Sequence, residues 1–368
     1  SVNKNIFWCS SCLNTSTRPR ISFDKNGICN ACLWKEEKKK INWSARAKEL
    51  NSIFTKLKKK RSSNFDLIIP VSGGKDGSYV THICKTRYKL NPLCVTVNPP
   101  LRTKLGVANL ENFKKYNLNL LEINLPSDTH KLLNKYGFIN QGRPLYGWLI
   151  GIFTSVIKVA VNFNINLIMY GEDGEAEYGG VSKLKHSVLF DSKFVKKNYF
   201  SDQYEKTMKL IKNNNDKHWW EFPRKKNEVK MTHWSYFENW DSYRNYVVAK
   251  KNFGILEKSE KNVGTYTNFS QNDTLLYDLH TYLMFLKFGF GRANQDAGID
   301  IRRGAITRDQ AIQLVDIYDN EFPYYALKDY LEYFEMSEKL FFRVIDKFAN
   351  KKLFKKVKNK WVPKFKLL

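Results

Sequence analysis

The segment with the clearest chemical signature is Ser-Gly-Gly-Lys-Asp-Gly-Ser at residues 72–78. It follows an apolar run of strand character at 65–72 and leads into a segment with helical spacing at 76–90. A glycine-rich turn between a strand and a helix exposes backbone N–H groups at the positive end of the helix dipole. Glycine also lets the backbone approach an anion closely. We therefore predict that this turn binds phosphate.

Side chains of the turn add to this predicted phosphate site. Ser72 and Ser78 offer hydroxyl donors, and Lys75 offers a positive charge. Asp76 is useful beside phosphate if it holds Mg²⁺ or caps a neighbouring group. The spacing fits neither a Walker A loop nor a GxGxxG loop, and an ordinary strand–helix turn with glycines for packing is the alternative. The residues predicted to bind nucleotide are Ser72, Gly73, Gly74, Lys75, Asp76, Gly77 and Ser78.

Four cysteines have the spacing of a metal site. They form two CxxC pairs, separated by sixteen residues. Four thiolates at this spacing hold a structural zinc ion, and a module this small buries little core without a metal. We therefore predict Zn²⁺, with an iron–sulfur cluster as the alternative. The predicted ligands are Cys9, Cys12, Cys29 and Cys32.

A second group of chemical side chains lies in the acidic, glycine-rich segment at 171–180. This segment also follows a strand-like run, so we expect both turns at the same edge of a parallel sheet, where ligands bind. Carboxylates there would stabilise a cation or accept a proton, whereas a solvated acidic loop is the alternative. The carboxylates are Glu172, Asp173, Glu175 and Glu177. We assign catalysis to Asp173 and Glu175 with Lys75 and Asp76, and nucleotide binding also to Gly171.

Alternating strand-like and helix-like segments position the two turns. Their alternation between 65 and 180 predicts βαβ units, and therefore an α/β fold with a doubly wound parallel sheet. The long apolar run at 145–163 contains Lys158, so we predict a buried helix rather than a membrane span. The first residues contain no apolar signal-peptide region, so we expect a cytoplasmic chain.

Composition divides the chain and indicates its partners. Lysine and arginine number 62 against 36 acids, a formal charge of +26, which suits polyanionic partners or substrates, although a solvated lysine surface is equally compatible. We predict a zinc ribbon at 1–40, a basic helical linker at 41–64 and the α/β domain at 65–255. A helical substrate-binding region at 256–350 and a basic tail at 351–368 follow.

The turn at 72–76 resembles the SGGxDS loop of the PP-loop ATP pyrophosphatase superfamily. Gly77 stands where serine is usual, and Ser78 follows one place late. Enzymes of that superfamily cleave ATP between the α and β phosphates and attach AMP to a carbonyl or amide oxygen. The resemblance therefore implies a PP-loop type of sheet, with ATP and Mg²⁺ as cofactors.

Nearly the whole chain resembles the bacterial N-acetyl sugar amidotransferases, which make acetamidino sugars for lipopolysaccharide O-antigen and other surface polysaccharides. The resemblance is carried by the cysteine pairs, the two turns, YFENWD at 236–241 and the long segment at 288–319. It implies that ATP and ammonia convert an N-acetyl group to an acetamidino group through an O-adenylated imidate, releasing AMP and pyrophosphate. A separate glutaminase with a cyclase-like subunit would supply the ammonia.

The implied substrate is an anionic sugar, either nucleotide-linked or a nonulosonic acid. Arginines at 288–304, which we expect to be a loop between two helices, suit phosphate or carboxylate through bidentate contacts. Asn294 and Asp296 would bind sugar hydroxyls. Thr307 and Gln310 predict a capping box at the following helix. The residues predicted to bind substrate are Glu177, Arg292, Asn294, Asp296, Arg302 and Arg303.

Two other functional classes remain as alternatives. A PP-loop enzyme that thiolates tRNA would suit the charge, but it needs paired cysteines after the loop, and here Cys84 and Cys94 follow singly. A non-catalytic zinc-ribbon protein that binds nucleic acid would leave the turn at 72–78 without a use. We therefore expect no nucleic-acid partner.

Overall fold

The central element of the fold is a five-stranded parallel sheet. A computed structural model describes residues 6–59, 63–180, 183–223 and 229–367. The strands are β1 Leu67–Pro70, β2 Pro92–Val97, β3 Asn119–Ile123, β4 Leu167–Tyr170 and β5 Lys230–His233. Their order is β3-β2-β1-β4-β5, and every neighbouring pair is parallel. The prediction of a doubly wound parallel sheet is confirmed, and its order reverses direction between β1 and β4.

Helices cover both faces of this sheet. The helices up to residue 180 are α1 Asn30–Lys38, α2 Trp43–Lys59, α3 Lys75–Thr86, α4 Lys104–Lys115, α5 Ser127–Gln141, α6 Tyr146–Asn162 and α7 Gly174–Tyr178. Those up to residue 253 are α8 Ser192–Val195, α9 Ser201–Met208, α10 Asn214–Lys217, α11 Trp234–Phe237 and α12 Ser242–Phe253. A π-helical turn at Lys196–Phe200 precedes α9, and a 3-10 turn at His218–Trp220 follows α10.

Side chains of β1 alternate between two hydrophobic cores, as a strand buried on both faces requires. Ile68 packs with α5 and α6 on one face. Leu67 and Ile69 pack on the other face with α2, α3, α4, α11 and α12. The apolar run at 145–163 forms α6 and is a buried helix, as predicted. In the described part of the chain, no helix is both long and apolar enough to cross a bilayer.

The C-terminal region is helical, as predicted. Its elements are α13 Leu276–Phe288, α14 Arg292–Arg302, α15 Arg308–Tyr318, a 3-10 turn at Tyr324–Ala326, α16 Leu327–Phe334 and α17 Glu338–Phe348. The predicted capping box of Thr307 and Gln310 is present at the start of α15. The expectation of a loop at 288–304 is wrong, because most of it forms α14. Ala293 and Ala297, one helical turn apart, are both fully buried.

The last residues form an antiparallel hairpin of β6 Phe354–Val357 and β7 Lys360–Pro363. The basic tail predicted at 351–368 is therefore folded over most of its length. Phe354 is buried in the same hydrophobic core as α13, α16 and α17, which fixes the hairpin to these helices.

Packing between α5 and the C-terminal helices gives a first testable prediction. Phe138 is fully buried, and its ring centroid lies 4.8 Å from that of Phe334 and 5.2 Å from that of Phe341. We expect Phe138→Ala to lower the free energy of unfolding by about 3–5 kcal/mol, because a cavity replaces these contacts. Urea denaturation measures the change. Leu132→Ala on the same helix, at a side chain 45% exposed, is the control. Equal losses in the two variants would contradict this packing.

Candidate active site

The turn after β1 has the geometry of an anion site. Gly73 has a φ of +86°, and a Cβ there would lie 2.7 Å from the backbone nitrogen of Leu110, so only glycine fits. Gly74 is the N-cap residue of α3. Within the described part of the chain, no side chain forms a capping hydrogen bond at the start of this helix. The first N–H groups of α3 therefore face the turn without side-chain acceptors, as binding of phosphate there requires.

Lys75 and Asp76 form an ion pair at this helix start. The Lys75 Nζ lies 2.6 Å from the Asp76 Oδ2, and Asn245 donates to the Asp76 Oδ1 at 3.0 Å. Burial lowers the pKa of Lys75, but the carboxylates of Asp76 and Glu172 raise it more, so the balance lies above the ordinary value. Lys75 is therefore a fixed positive charge beside the turn, and Asp76 is held in place from both sides.

Glu172 is the acidic residue of the second turn that lies beside this pair. An added Cβ on the preceding Gly171 would lie 3.4 Å from the Asp76 Cβ, so the two turns touch. Trp240 donates its indole N–H to the Glu172 carboxylate at 3.0 Å. Burial, followed by the charge of Asp76, raises the pKa of Glu172 to about 8, against the opposing effect of Lys75. A carboxyl with this pKa exchanges its proton near neutral pH.

Asp173, predicted to be catalytic, has a local structural role. Its carboxylate accepts the backbone N–H of Glu175 at 3.2 Å and caps the short helix α7. Its own backbone N–H donates to the Ser235 hydroxyl at 3.0 Å. Asp173 therefore shapes the turn that presents Glu172.

Glu175 and Glu177 face the cysteine-containing N-terminal segment. Glu175, predicted to be catalytic, accepts the Nε–H of Arg20 at 3.0 Å. Glu177, predicted to bind substrate, pairs with Lys38 at 2.9 Å and accepts the indole N–H of Trp34 at 3.0 Å. The structure thus uses both carboxylates to attach residues 6–40 to the acidic turn.

Arg292 and Asn294, both predicted to bind substrate, lie in the interior. Arg292 forms an ion pair with Asp278 at 3.2 Å, with the two side chains 2% and 4% exposed. Asn294 is 2% exposed and donates to the backbone oxygen of Leu13 at 2.9 Å. The structure therefore places these two side chains in packing contacts, because α14 is a helix with a buried face.

The remaining predicted substrate residues lie closer to the two turns. Asp296 accepts the Thr267 hydroxyl at 2.9 Å and is near enough to Lys75 to raise its pKa. Arg302 donates to the backbone oxygen of Glu177 at 3.1 Å. Arg303 pairs with Asp300 at 3.5 Å and also lies 3.9 Å from a carboxylate oxygen of Asp241. Asp296 thus lies near Lys75, and the two arginines lie on the side of the cysteine-containing N-terminal segment.

Two adjoining clefts open at the turn after β1. The first, the phosphate cleft, has a volume of about 570 Å³ and is lined by residues 72–77 with 269–273. The second, the apolar cleft, has a volume of about 790 Å³ at the ends of β1, β2 and β4. Ser72, Gly106 and Asp273 line both clefts.

The apolar cleft contains candidate ligand-binding residues that our sequence analysis missed. Its walls include Val97, Arg102, Trp148 and Tyr170, and Trp148 is held by a hydrogen bond to the backbone oxygen of Val97 at 2.9 Å. Val97 and Tyr170 are the last residues of β2 and β4, and these strand ends are the signal that would have identified them, whereas Trp148 lies on α6 and carries no such signal. Together the clefts place an apolar compartment beside the glycine-rich turn at the end of β1.

The four predicted metal ligands lie together in the N-terminal segment. The sulfur atoms of Cys9, Cys12, Cys29 and Cys32 all lie within 4.8 Å of one another, and all four residues are buried. Backbone N–H groups of Ser11, Cys12 and Cys29 point at the Cys9 sulfur. Such N–H groups stabilise thiolate charge, so the residues fit a closed four-coordinate metal site.

Comparisons with known proteins cover parts of the chain. Residues 263–366 match the family model for the C-terminal domain of WbpG-like LPS biosynthesis proteins. An uncharacterized protein of Methanocaldococcus jannaschii is 35% identical over 118 residues, which are 32% of this chain and 42% of that protein.

Two solved structures of low sequence identity are similar to parts of the chain. The NH3-dependent NAD synthetase of Campylobacter jejuni is 18% identical with a TM-score of 0.30, covering 38% of this chain and 62% of that one. The U34-tRNA thiolase NcsA of Methanococcus maripaludis is 12% identical with a TM-score of 0.33, covering 84% and 88%. The chain thus spans less than two thirds of the Methanocaldococcus jannaschii protein and of the NAD synthetase.

The cysteine cluster gives a testable prediction about metal. We expect the purified chain to be colourless and to contain about one zinc ion, because four thiolates fill a tetrahedral shell. Cys29→Ser should lose this metal and lower the melting temperature. Elemental analysis and thermal unfolding measure the two effects. Cys84→Ala, at a buried cysteine outside the cluster, is the control that should keep the metal. Iron–sulfide absorption, or full zinc content in Cys29→Ser, would contradict the prediction.

Proposed function

We propose that the chain is an ATP-dependent amidotransferase that converts the N-acetyl group of an anionic sugar to an acetamidino group. The observation that carries the proposal is the meeting of the phosphate turn, with Lys75 and Asp76, and the half-buried carboxyl of Glu172. The match of residues 263–366 to a domain of LPS biosynthesis proteins supports a sugar as the substrate.

In the first step, the amide oxygen of the N-acetyl group attacks the α-phosphorus of ATP. The bond from that phosphorus to the bridging oxygen breaks, and pyrophosphate leaves. Lys75 and the N–H groups at the start of α3 offset the charge that develops on the leaving group. The apolar cleft beside Ser72 would hold the adenosine.

Asp76 fits the role of a magnesium ligand. Its side chain is 28% exposed and lines the phosphate cleft, so its carboxylate would hold Mg²⁺ beside the phosphates. When bound there, Mg²⁺ neutralises phosphate charge. Asn245 and Lys75 hold the Asp76 carboxylate in the orientation that faces the turn.

In the second step, ammonia attacks the carbon of the O-adenylated imidate. The bond from this carbon to oxygen breaks, and AMP leaves with the former acetyl oxygen. The attacking nitrogen loses one proton, which the Glu172 carboxylate accepts to become a neutral carboxyl, and the product is released as the amidinium. A separate glutaminase with a cyclase-like subunit would supply the ammonia, because Cys84 is fully buried and unsuited to hydrolyse glutamine.

The cysteines argue against sulfur transfer by this chain. Four lie in the cluster, and burial raises the pKa of the other two, Cys84 and Cys94, so that neither is a reactive thiolate. A tRNA-thiolating enzyme that relays sulfur through its own paired cysteines after the loop would lack its nucleophiles here.

Product analysis tests the proposed function. The chain, Mg-ATP and ammonium are combined with nucleotide-linked di-N-acetyl sugars, with nonulosonic acids, or with unmodified tRNA. We expect equal amounts of AMP and pyrophosphate with one of the sugars. Its mass should fall by the difference between an oxygen atom and an NH group. AMP formation only with tRNA would overturn the proposal.

The pH dependence of this reaction tests the role of Glu172. Its pKa of about 8 means that it is largely protonated at neutral pH and gains its basic form as the pH rises. With hydroxylamine as nucleophile, which is already a free base at neutral pH, kcat/KM should rise with pH and level off above about 8. In Glu172→Gln, kcat/KM should no longer rise with pH, and the rate should be about 10²–10⁴-fold lower.

The control for this variant is Glu332→Gln, at an exposed ion pair with Lys328 on α16. It should leave the pH profile unchanged. An unaltered rising limb in Glu172→Gln would show that another group accepts the proton.

A further inference from the structure

A third cleft, the ribbon cleft, lies between the cysteine-containing N-terminal segment and the sheet domain. Its volume is about 1040 Å³, larger than either cleft at the phosphate turn. Helix α1 and the first residue of α2 form one wall, and residues 239–242 with α14 form the other. Trp43 and Trp240 both line it, and indole faces suit stacking against a sugar or base ring.

Basic side chains dominate the lining of the ribbon cleft. Its three carboxylates are Glu172, Glu177 and Asp241. Its five basic residues are Lys35, Lys38, Lys39, Arg302 and Arg303. The charge of Glu177 is already offset by Lys38 at 2.9 Å, and that of Lys39 by Glu36 at 2.6 Å. The cleft therefore keeps an excess of positive charge, which favours an anion.

Arg302 supplies an unused hydrogen-bond donor in this wall. Its Nη2 donates to the backbone oxygen of Glu177, but its Nη1 is buried and has no hydrogen-bond partner in the described part of the chain. A buried donor without a partner is costly, so Arg302 has unused hydrogen-bonding capacity beside the cleft that its side chain lines. Arg303, on the same helix, lies 3.9 Å from a carboxylate oxygen of Asp241. That contact is long enough to yield to a ligand.

Glu172 connects the ribbon cleft with the phosphate cleft. It lines the former, and its neighbour in space, Asp76, lines the latter. The charge of Asp76 helps to raise the pKa of Glu172, so the two carboxyls lie close together. A ligand in the ribbon cleft would therefore contact Glu172 next to the carboxylate that lines the phosphate cleft.

We infer that the ribbon cleft is the binding site of the acceptor sugar, with its anionic group on the basic wall and its N-acetyl group toward Glu172. This inference rests on the proposed function. The anionic group is a phosphate or a carboxylate, both of which Lys35, Arg302 and Arg303 would bind by charge-assisted hydrogen bonds. The metal-binding segment then forms part of the substrate site, while ATP enters through the phosphate cleft.

Direct binding to the full metal-loaded chain tests this inference. Mg²⁺ and α,β-methylene-ATP first saturate the nucleotide site, and calorimetry then follows two probes, UDP-N-acetylglucosamine and N-acetylneuraminic acid. Binding of the first probe alone would indicate recognition of a diphosphate, and of the second alone recognition of a carboxylate. Lys35→Ala and Arg303→Ala should each weaken the bound probe by about tenfold or more. Lys40→Ala, at an exposed lysine outside the cleft, is the matched control.

Other outcomes would overturn the inference. These are binding of neither probe, equal affinities in the variants and the wild type, weaker probe binding with the ATP analogue than without it, or displacement of the probe by unmodified tRNA. Circular dichroism and zinc content verify that each variant is folded. The proposed function fails separately: if a probe binds and the variants weaken it, yet no sugar yields AMP, the cleft stands as an anion site and the amidotransfer reaction does not.

Discussion

The site depends on the adjacency of β1 and β4 in the sheet. Because these strands are parallel neighbours, the turns that follow them open at the same edge and touch. This contact brings the Asp76 carboxylate next to that of Glu172. The positive charge of Lys75 lies near both carboxylates. Two carboxyls and one ammonium in a partly buried place cannot all be charged without cost, so one carboxyl retains its proton more strongly. Glu172 is that group.

The cysteine-containing N-terminal segment contributes to the same site by fixing the turn at 171–180. Asn14 and Asn30 donate from this segment to the backbone oxygens of Tyr178 and Gly180, at 3.2 and 2.6 Å. The ion pairs of Glu175 with Arg20 and of Glu177 with Lys38 add charge to the contact. Glu175 and Glu177 thus hold the acidic turn in position against the segment that carries the four clustered cysteines.

Local patterns allowed much of this arrangement to be predicted. The turn at 72–78 is flanked in sequence by the strand and the helix that position it. The spacing of the two CxxC pairs is enough to predict that the four cysteines lie together. The alternation of segments predicted the parallel sheet and the shared edge. The role of Glu172 was not predictable in this way, because it depends on Asp76 and Trp240, which are distant in sequence.

Contacts between residues distant in sequence also explain the other differences between the predictions and the structure. Arg20 and Lys38 bind carboxylates about 140–155 positions away, and no local pattern encodes such a pairing. Charged residues in 288–304 suggested an exposed loop, yet Arg292 is buried by its ion pair with Asp278. The clefts are formed by residues from several strand ends, so their shapes emerge only when the sheet is assembled.

The central claim is that AMP is attached to the acetyl oxygen before nitrogen replaces it. The most direct measurement uses an acceptor sugar whose N-acetyl oxygen is labelled with the heavy isotope of oxygen, with the phosphorus-bound oxygens of the released AMP then analysed by mass spectrometry. The account predicts that every AMP molecule carries the label in its phosphate group and that pyrophosphate carries none. Unlabelled AMP, formed alongside an amidine product, would contradict O-adenylation and therefore the assigned roles of the phosphate turn and Glu172.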